Sequence, residues 1–271
     1  MPSDPTHPAD RFRALHVPGS PLLMPNPWDL GSARLLASLG FAALATTSSG
    51  FAGTLGRLDG SVSRDEALAH AEAIVGAVAL PVSADLEDGF AADPAGVAET
   101  VTAAAGTGLA GCSIEDSTRD TDEPIHDLGL ARDRVAAAAE AARAGNLVLT
   151  ARAENYLHGR ADLADTISRL QAYQEAGADV LYAPGLAELD DIRRVVGAVD
   201  RPVNVLTWPG GPPVAELAAA GVARISVGGA FSLVAAGAVT RAARELLDQG
   251  TYSFYGLAGT GRGAISSAYT R

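Results

Sequence analysis

Three acidic residues lie close together at the end of an apolar run that is predicted to form a buried β-strand. The run 80–84 is followed by Asp85, Glu87 and Asp88, with a glycine at position 89. Side chains alternate between the two faces of a strand, so Asp85 and Glu87 are expected on the same face. Carboxylate oxygens are the ligands that Mg²⁺ and Mn²⁺ prefer, so this strand end predicts a site for a hard cation.

Polar residues follow several other apolar runs in the same way. The run ends carry Asn26; Thr47, Ser48 and Ser49; Glu115 and Asp116; Arg152, Glu154 and Asn155; and Asn204, Thr207 and Trp208. Glu115 would join Asp85 and Glu87 as a third metal-binding acid, although solvated or arginine-paired acids would give the same pattern. Arg152 either pairs with these acids or binds a substrate carboxylate with its planar guanidinium group.

Two further groups are open to two interpretations. Thr47, Ser48 and Ser49 with Gly50 offer hydroxyl and backbone N–H groups to an anion, but such a cluster also forms ordinary turns. Asn204 is ambiguous in the same way. Cys112, the single cysteine, lies inside an apolar run and is interpreted as a small buried hydrophobic residue, not as a nucleophile.

These run ends belong to a repeating pattern of strands and helices. The predicted strands are 22–26, 41–47, 81–87, 111–116, 147–153, 179–183, 202–207 and 224–228, with predicted helices after them, including 128–144 and 231–247. The strands are too continuously apolar to have one face in water, which is typical of parallel strands covered by helices. Eight such units predict a single α/β domain over residues 1–271, a (β/α)8 TIM-type barrel, with 1–11 as a loose tail. Catalytic residues of such a barrel lie at the C-terminal ends of its strands.

Composition excludes some classes of partner. The formal net charge is −12 and lysine and arginine form no cluster, which argues against binding to nucleic acid or to an acidic membrane. A run of about 18 apolar residues, long enough to span a membrane, does not occur. A single cysteine excludes an intramolecular disulfide and fits a reducing compartment, so we predict a cytoplasmic protein.

Six short motifs occur together in a specific order and spacing. They are PNPWD at 25–29, TSSG at 47–50, SADLEDGF at 83–90, IED at 114–116, TARAE at 150–154 and PVNV at 202–205. With these motifs the chain resembles the isocitrate lyase and phosphoenolpyruvate mutase superfamily, from about residue 25 to residue 247. The resemblance implies a barrel whose last helix is exchanged between subunits, within 231–271, in a homotetramer built as a dimer of dimers.

The resemblance also implies roles for individual residues. Mg²⁺ (or Mn²⁺) would be held by Asp85, largely through waters, with Glu87 and Glu115 close by. Arg152, Asp59 and Glu115 would be catalytic. The substrate, a small 2-oxo acid or its enolate, would be bound by a set of residues from the shared motifs: Trp28, Thr47, Ser48, Ser49, Gly50, Arg152 and Asn204.

The chain departs from the superfamily pattern in several places. The isocitrate and methylisocitrate lyases carry a catalytic cysteine in the loop after the fourth strand, but the segment 116–124, DSTRDTDEP, has none, and it also lacks the asparagine loop of the phosphonomutases. The sixth strand ends YAPG at 182–185 instead of with a Pro-Glu pair, and Glu87 replaces a more usual aspartate.

These features together predict an enzyme, a Mg²⁺-dependent carbon-carbon lyase. It would cleave a small 2-oxo or 2-hydroxy dicarboxylic acid through an enolate, with oxaloacetate decarboxylation the simplest instance. One alternative is P–C bond chemistry on phosphonopyruvate, as a hydrolase or a phosphonomutase. The other is a catalytically silent protein that binds a 2-oxo acid.

Overall fold

Eight parallel strands form a nearly closed barrel in the computed structural model, which describes residues 7–118 and 120–270. The strands are β1 Leu22–Met24, β2 Leu44–Ala45, β3 Val82–Asp85, β4 Gly111–Glu115, β5 Val148–Arg152, β6 Val180–Tyr182, β7 Val203–Leu206 and β8 Arg224–Ser226. They pair in the order β1-β8-β7-β6-β5-β4-β3-β2. The Ala45 N–H donates to the Pro25 carbonyl at 3.1 Å, which brings β2 back beside β1. The predicted (β/α)8 fold is confirmed.

Helices follow the strands around the outside. They are α1 Pro8–Ala14, α2 Leu30–Ser38, α3 Ser48–Thr54, α4 Arg64–Ala77, α5 Pro94–Ala105, α6 Leu128–Ala144, α7 Leu163–Ala176, α8 Leu189–Ala198, α9 Val214–Ala219, α10 Ala230–Gln249 and α11 Tyr255–Tyr269. Local capping defines several starts: Ser63 and Glu66 form a capping box before α4, and Asp93 caps α5 ahead of Pro94.

One predicted strand is much shorter than expected. The segment 41–47 contributes only Leu44–Ala45 to the sheet, and the cluster that follows is the start of α3. The Thr47 hydroxyl accepts from the Gly50 N–H at 3.4 Å and so caps that helix. The polar character of 46–49 arises from this capping as well as from the cleft that these residues face.

Side chains alternate along each strand between the outside of the barrel, where the helices pack, and the barrel interior. Residues such as Cys112 and Leu149 face outward into a large apolar cluster between the barrel and its helices. A second, smaller cluster joins Phe12 of α1 to Leu22, Val148 and Val180 at the N-terminal ends of the strands. Polar side chains occupy the C-terminal end of the barrel interior. The smaller apolar cluster below them and the helices around the barrel hold these polar side chains in place.

Both ends of the chain differ from expectation. The predicted loose tail 1–11 includes a helix that begins at Pro8 and buries Ala9; residues 1–6 lie outside the described residues. The segment after α10, expected as a tail, forms α11, and the burial of Ala268 reflects its packing beside α2 and the end of α4. None of the α10 residues is buried.

Candidate active site

A cleft opens at the C-terminal ends of the strands, where the sequence predicts the site. An inner cavity of about 180 Å³ extends into the barrel, and an outer cavity of about 530 Å³ adjoins it at the mouth. Ser48, Asp59, Arg152 and Leu157 line both. The inner space is well above what a single water requires, so it suits a small molecule.

Arg152, the last residue of β5, is the centre of the cleft. Its Nη1 donates to Asp85 Oδ1 at 2.9 Å, its Nη2 lies 3.1 Å from Glu115 Oε2, and its Nε donates to Glu154 Oε1 at 2.8 Å. The guanidinium carbon also lies 5.2 Å from the centre of the Tyr182 ring. Register explains the arrangement, because Glu115, Arg152 and Tyr182 are paired neighbours on β4, β5 and β6.

The cluster around Arg152 carries more negative than positive charge. Three carboxylates and one guanidinium have a formal charge of −2 when all are ionised (three negative charges and one positive). Burial raises the pKa of Glu154 to about 8, to which the charge of Glu115 contributes, and burial together with the charges of Asp85 and Asp88 raises the pKa of Glu115. Burial alone would lower the pKa of Arg152, but its three acidic neighbours hold it above the ordinary value. The raised pKa values show that full ionisation of these acids is unfavourable, and a bound divalent cation would favour it.

The three predicted metal ligands do not form a three-carboxylate cage. Over residues 7–118 and 120–270, no group of three or more acidic, histidine or cysteine side chains is arranged to hold a metal ion. Arg152 lies between Asp85 and Glu115, and β3 ends at Asp85, so the expectation that Glu87 shares its face does not hold. Glu87 has φ of 48° and lines the outer cavity with Glu115, whereas Asp85 lines the inner one. The donor set fits a cation held by Asp85 and waters.

One wall of the inner cavity is formed by the start of α3. The Ser48 N–H donates to Asp85 Oδ2 at 3.2 Å, and the Thr47 and Ser49 hydroxyls are 3.2 Å apart. Gly50 and Trp28 lie behind this wall and do not line the cavity. A Cβ on Gly50 would stand 3.0 Å from the Cβ of Trp28 and 2.6 Å from Thr47 Cγ2, so the glycine permits their close packing.

The two remaining predicted site residues, Asp59 and Asn204, lie at opposite ends of the cleft. Asp59 is exposed, on the loop between α3 and α4, and faces both cavities at the mouth. Asn204 is buried deep in the inner cavity, where its amide donates to Ser226 Oγ at 3.0 Å. Asp59 therefore lies at the entrance and Asn204 in the floor.

Two buried networks hold the strand ends. Asp116 accepts from the Glu154 N–H at 2.8 Å and from Arg169 Nη1 at 3.0 Å, and the Tyr173 hydroxyl also donates to it. Arg134 of α6 donates to three carbonyls of the turn after β3, those of Asp88, Ala91 and Ala92. Asp116, a strand-end acid in the sequence, is thus a structural anchor for the loop that begins there.

Three residues of the cleft were not among the predicted site residues. Glu154 follows Arg152 by two positions, so strand alternation was a signal that it shares the same face. Tyr182 lies beside Arg152, where burial raises its pKa to about 12. Arg224 begins β8 and is 3% exposed; a basic residue inside the apolar run 222–227 was the available signal.

Comparison with known proteins agrees with this geometry. Residues 12–247 match the family model for phosphoenolpyruvate phosphomutase. The chain belongs to the isocitrate lyase and phosphoenolpyruvate mutase superfamily. It is similar to 2-methylisocitrate lyase of Escherichia coli (strain K12), with 30% identity over 97% of this chain and 90% of that protein.

Two other superfamily members extend the comparison. Oxaloacetate decarboxylase of Chromohalobacter salexigens is 29% identical over 83% of this chain and 80% of its own. The crystal structure of a "putative lyase/mutase" from Burkholderia cenocepacia J2315 is 52% identical, with a TM-score of 0.88 over 92% of this chain and 91% of its own. The chain is therefore an enzyme of the lyase and mutase type.

The cysteine chemistry of the isocitrate and methylisocitrate lyases has no counterpart in this superfamily member. Its one cysteine, Cys112, is fully buried in the outer core, and burial raises the pKa of the thiol to about 12. No described helix is long and apolar enough to cross a membrane.

Proposed function

We propose that this enzyme cleaves a C–C bond of a small 2-oxo dicarboxylic acid through an enolate, with oxaloacetate decarboxylation as the reaction. The observation that carries the proposal is the inner cavity itself. It is a space of about 180 Å³ lined by Arg152, Asp85 and Ser48, in which Asp85 accepts from both the Arg152 guanidinium and the Ser48 N–H. Charge that develops on a 2-oxo oxygen there would meet fixed donors in surroundings that exclude most water.

Mg²⁺ or Mn²⁺ is part of the proposal. Asp85 would hold the ion, with waters filling the other positions and Glu115 accepting hydrogen bonds from them. When bound, the cation would polarise the 2-oxo group as a Lewis acid. Binding of a cation by Asp85 would also release an N–H of Arg152 for the substrate, because Arg152 Nη1 now donates to Asp85.

The chain's own residues would perform the remaining work. Arg152 would orient the substrate carboxylate next to the 2-oxo group, and Thr47, Ser48 and Ser49 would donate to the oxygen that gains charge. As the C–C bond breaks, its electron pair moves into the enolate and CO₂ leaves. Protonation at carbon then gives pyruvate. This reaction requires an electron sink but no cysteine acid, in agreement with a loop after β4 that lacks cysteine.

The decisive test is a decarboxylation assay with oxaloacetate and Mg²⁺. Free Mg²⁺ catalyses this reaction, so pyruvate formation must be compared with Mg²⁺ alone and with the Asp85→Ala variant. We expect the wild type to exceed both by orders of magnitude, and Arg152→Ala to lose turnover while keeping the circular dichroism spectrum of the fold. A wild-type rate equal to that of free Mg²⁺ would refute the proposal.

A second candidate is P–C bond chemistry on phosphonopyruvate. The match to the phosphoenolpyruvate phosphomutase model favours it, whereas the missing asparagine loop argues against it. Phosphorus NMR separates the candidates, because hydrolysis gives inorganic phosphate and mutase action gives a phosphate ester. Binding of oxalate without turnover of either substrate would instead indicate the silent binding protein.

We also infer that a second copy of the chain covers α10, in a dimer of dimers with exchange of this helix. The 20 residues of α10 include no buried residue, and Leu233, Val239 and Leu247 are exposed. On the outer face of β1, Leu23 is likewise 41% exposed. Light scattering should give the mass of a tetramer. Val239→Asp should shift it to smaller species, whereas Leu58→Asp, at an exposed leucine beside the cleft, should not; a wild-type monomer would contradict the inference.

A further inference from the structure

Arg224 is a buried cation whose hydrogen-bond partners are both neutral. Its Nε donates to Asn204 Oδ1 at 2.9 Å, and its Nη1 lies 3.2 Å from His16 Nε2. His16 Nδ1 donates to the Phe12 carbonyl at 2.9 Å, which leaves Nε2 as the acceptor for Arg224. Burial, and then the charge of Arg224, lower the pKa of His16 to about 3, so the imidazole is neutral. The two partners satisfy N–H groups of Arg224 without balancing its charge.

Carboxylates balance the other arginine of the inner cavity but not this one. Arg152 contacts three carboxylates, whereas no carboxylate of the described residues forms an ion pair with Arg224. Burial lowers the pKa of Arg224 to about 10, so the side chain stays protonated at neutral pH. An unpaired charge in the protein interior is destabilising. Retaining it there needs a compensating group, and a bound anion supplies one.

Arg224 belongs to the same cavity as the proposed reaction centre. It lines the inner cavity together with Asp85, Ser48 and Ser226. Strand register connects it to Arg152 through a row of paired neighbours on adjacent strands: Arg224 with Asn204, Asn204 with Tyr182, and Tyr182 with Arg152. The cavity therefore has one neutralised cation near its mouth and one unneutralised cation in its floor.

We propose that Arg224 binds the carboxylate at the far end of the substrate, so that the enzyme selects small dicarboxylic acids over monocarboxylic ones. In oxaloacetate this is the carboxylate that leaves as neutral CO₂, so the contact with Arg224 acts in substrate selection and is given up as the bond breaks. A carboxylate carries the single negative charge that one guanidinium neutralises, and its planar oxygens match the N–H groups of arginine. Asn204 and Ser226 add neutral polar atoms beside it. The placement of the 2-oxo end at Asp85 and Arg152 rests on the proposed function; anion binding by Arg224 does not.

The test uses two ligands that differ only by the distal carboxylate, (S)-malate and (S)-lactate, titrated calorimetrically with Mg²⁺ present. We expect the wild type to bind malate at least about tenfold more tightly than lactate, equivalent to ~1.4 kcal/mol. Arg224→Gln, which keeps a donor for Asn204 but no charge, should bring the two affinities within about twofold of each other by loss of malate binding. Arg224→Lys should keep part of the preference. Arg201→Gln removes the same charge from an exposed position outside the cleft and should change neither affinity.

A purely structural role would give a different result. If Arg224 only connects β8 to His16, Arg224→Gln would lower the melting temperature and leave the ratio of malate to lactate affinity unchanged. That result would overturn the proposal. A wild type that binds malate and lactate equally well would also overturn it. Should Arg224→Gln fail to fold, Arg224→Lys decides: malate affinity must fall while lactate affinity stays constant. This test measures binding and not turnover. If malate is preferred over lactate in a way that depends on Arg224, but oxaloacetate is not turned over, the proposed reaction is refuted and the anion site at Arg224 still stands.

Discussion

His16 should make the stability of the protein depend on pH in the range where histidines of the unfolded chain titrate. The ring is 8% exposed, packs edge to face on Phe12 with 4.7 Å between ring centres, and accepts from Arg224. Burial lowers its pKa from 6.5 to about 3. In the folded protein His16 therefore stays neutral at pH 5, whereas in the unfolded chain it is mostly protonated. The stabilisation is fully present above pH 6.5 and is lost as the pH falls below that value.

The size of the effect follows from the pKa of the unfolded chain. Each pH unit between the two pKa values changes the free energy of unfolding by about 1.36 kcal/mol, so the loss at pH 5 is about 2 kcal/mol for a group that titrates at 6.5 when unfolded. This figure is insensitive to the folded-state pKa as long as it lies well below 5. The full loss is reached only when the pH falls to about 3.

The assay is urea unfolding of the wild type and of His16→Gln at several pH values. Glutamine offers an acceptor to Arg224 but does not titrate. It also loses the ring packing and the hydrogen bond to Phe12, but that loss is the same at every pH, so only the pH dependence of the difference reports on the charge of His16. The stability advantage of the wild type over the variant should shrink by about 2 kcal/mol between pH 7 and pH 5 and stay constant between pH 7 and pH 8. An advantage of equal size at pH 5 and pH 7 would refute the buried neutral state of His16.

Two further predictions concern the core and its networks. Cys112 is fully buried, so a thiol reagent should modify it only as fast as the chain unfolds, and Cys112→Ser should leave oxaloacetate turnover unchanged; fast labelling of the folded enzyme would contradict its placement. Tyr173→Phe removes the hydroxyl that donates to the buried Asp116 carboxylate and should lower the free energy of unfolding by about 1.5–3 kcal/mol. Tyr255→Phe, at an exposed tyrosine, should change it by less than about 0.5 kcal/mol in the same denaturant titration.

The barrel was predictable because its signals are local. Apolar runs, caps such as Ser63 with Glu66, and turns between them repeat along the chain, and parallel strands bring the run ends to one face. The meeting of Asp85, Glu115 and Arg152 follows from that rule alone.

Other features depend on contacts that no local pattern contains. Glu87 was placed on the face of Asp85 by strand alternation, but the strand ends at Asp85 and the backbone turns at Glu87. Gly50 and Trp28, predicted to bind substrate, do not line the inner or outer cavity, because their positions are set by packing against each other. For Arg224 the sequence offered only a basic residue inside an apolar run, and the lack of a carboxylate partner among the described residues became visible only in the structure.

The two apolar clusters of this barrel have a consequence for how its reaction could be altered. Stability resides mainly in the large cluster between the strands and their outer helices, whereas the polar interior of the cleft is separate from it. Substitutions in the cleft and in the large cluster should therefore have additive effects on stability, because the two share few contacts. Within the cleft, Asn204 and Arg224 belong to one hydrogen-bond network with His16, so substitutions there are coupled. Directed evolution for a new substrate should therefore vary Asn204, Tyr182 and Arg224 together, and take compensating stability from the large cluster.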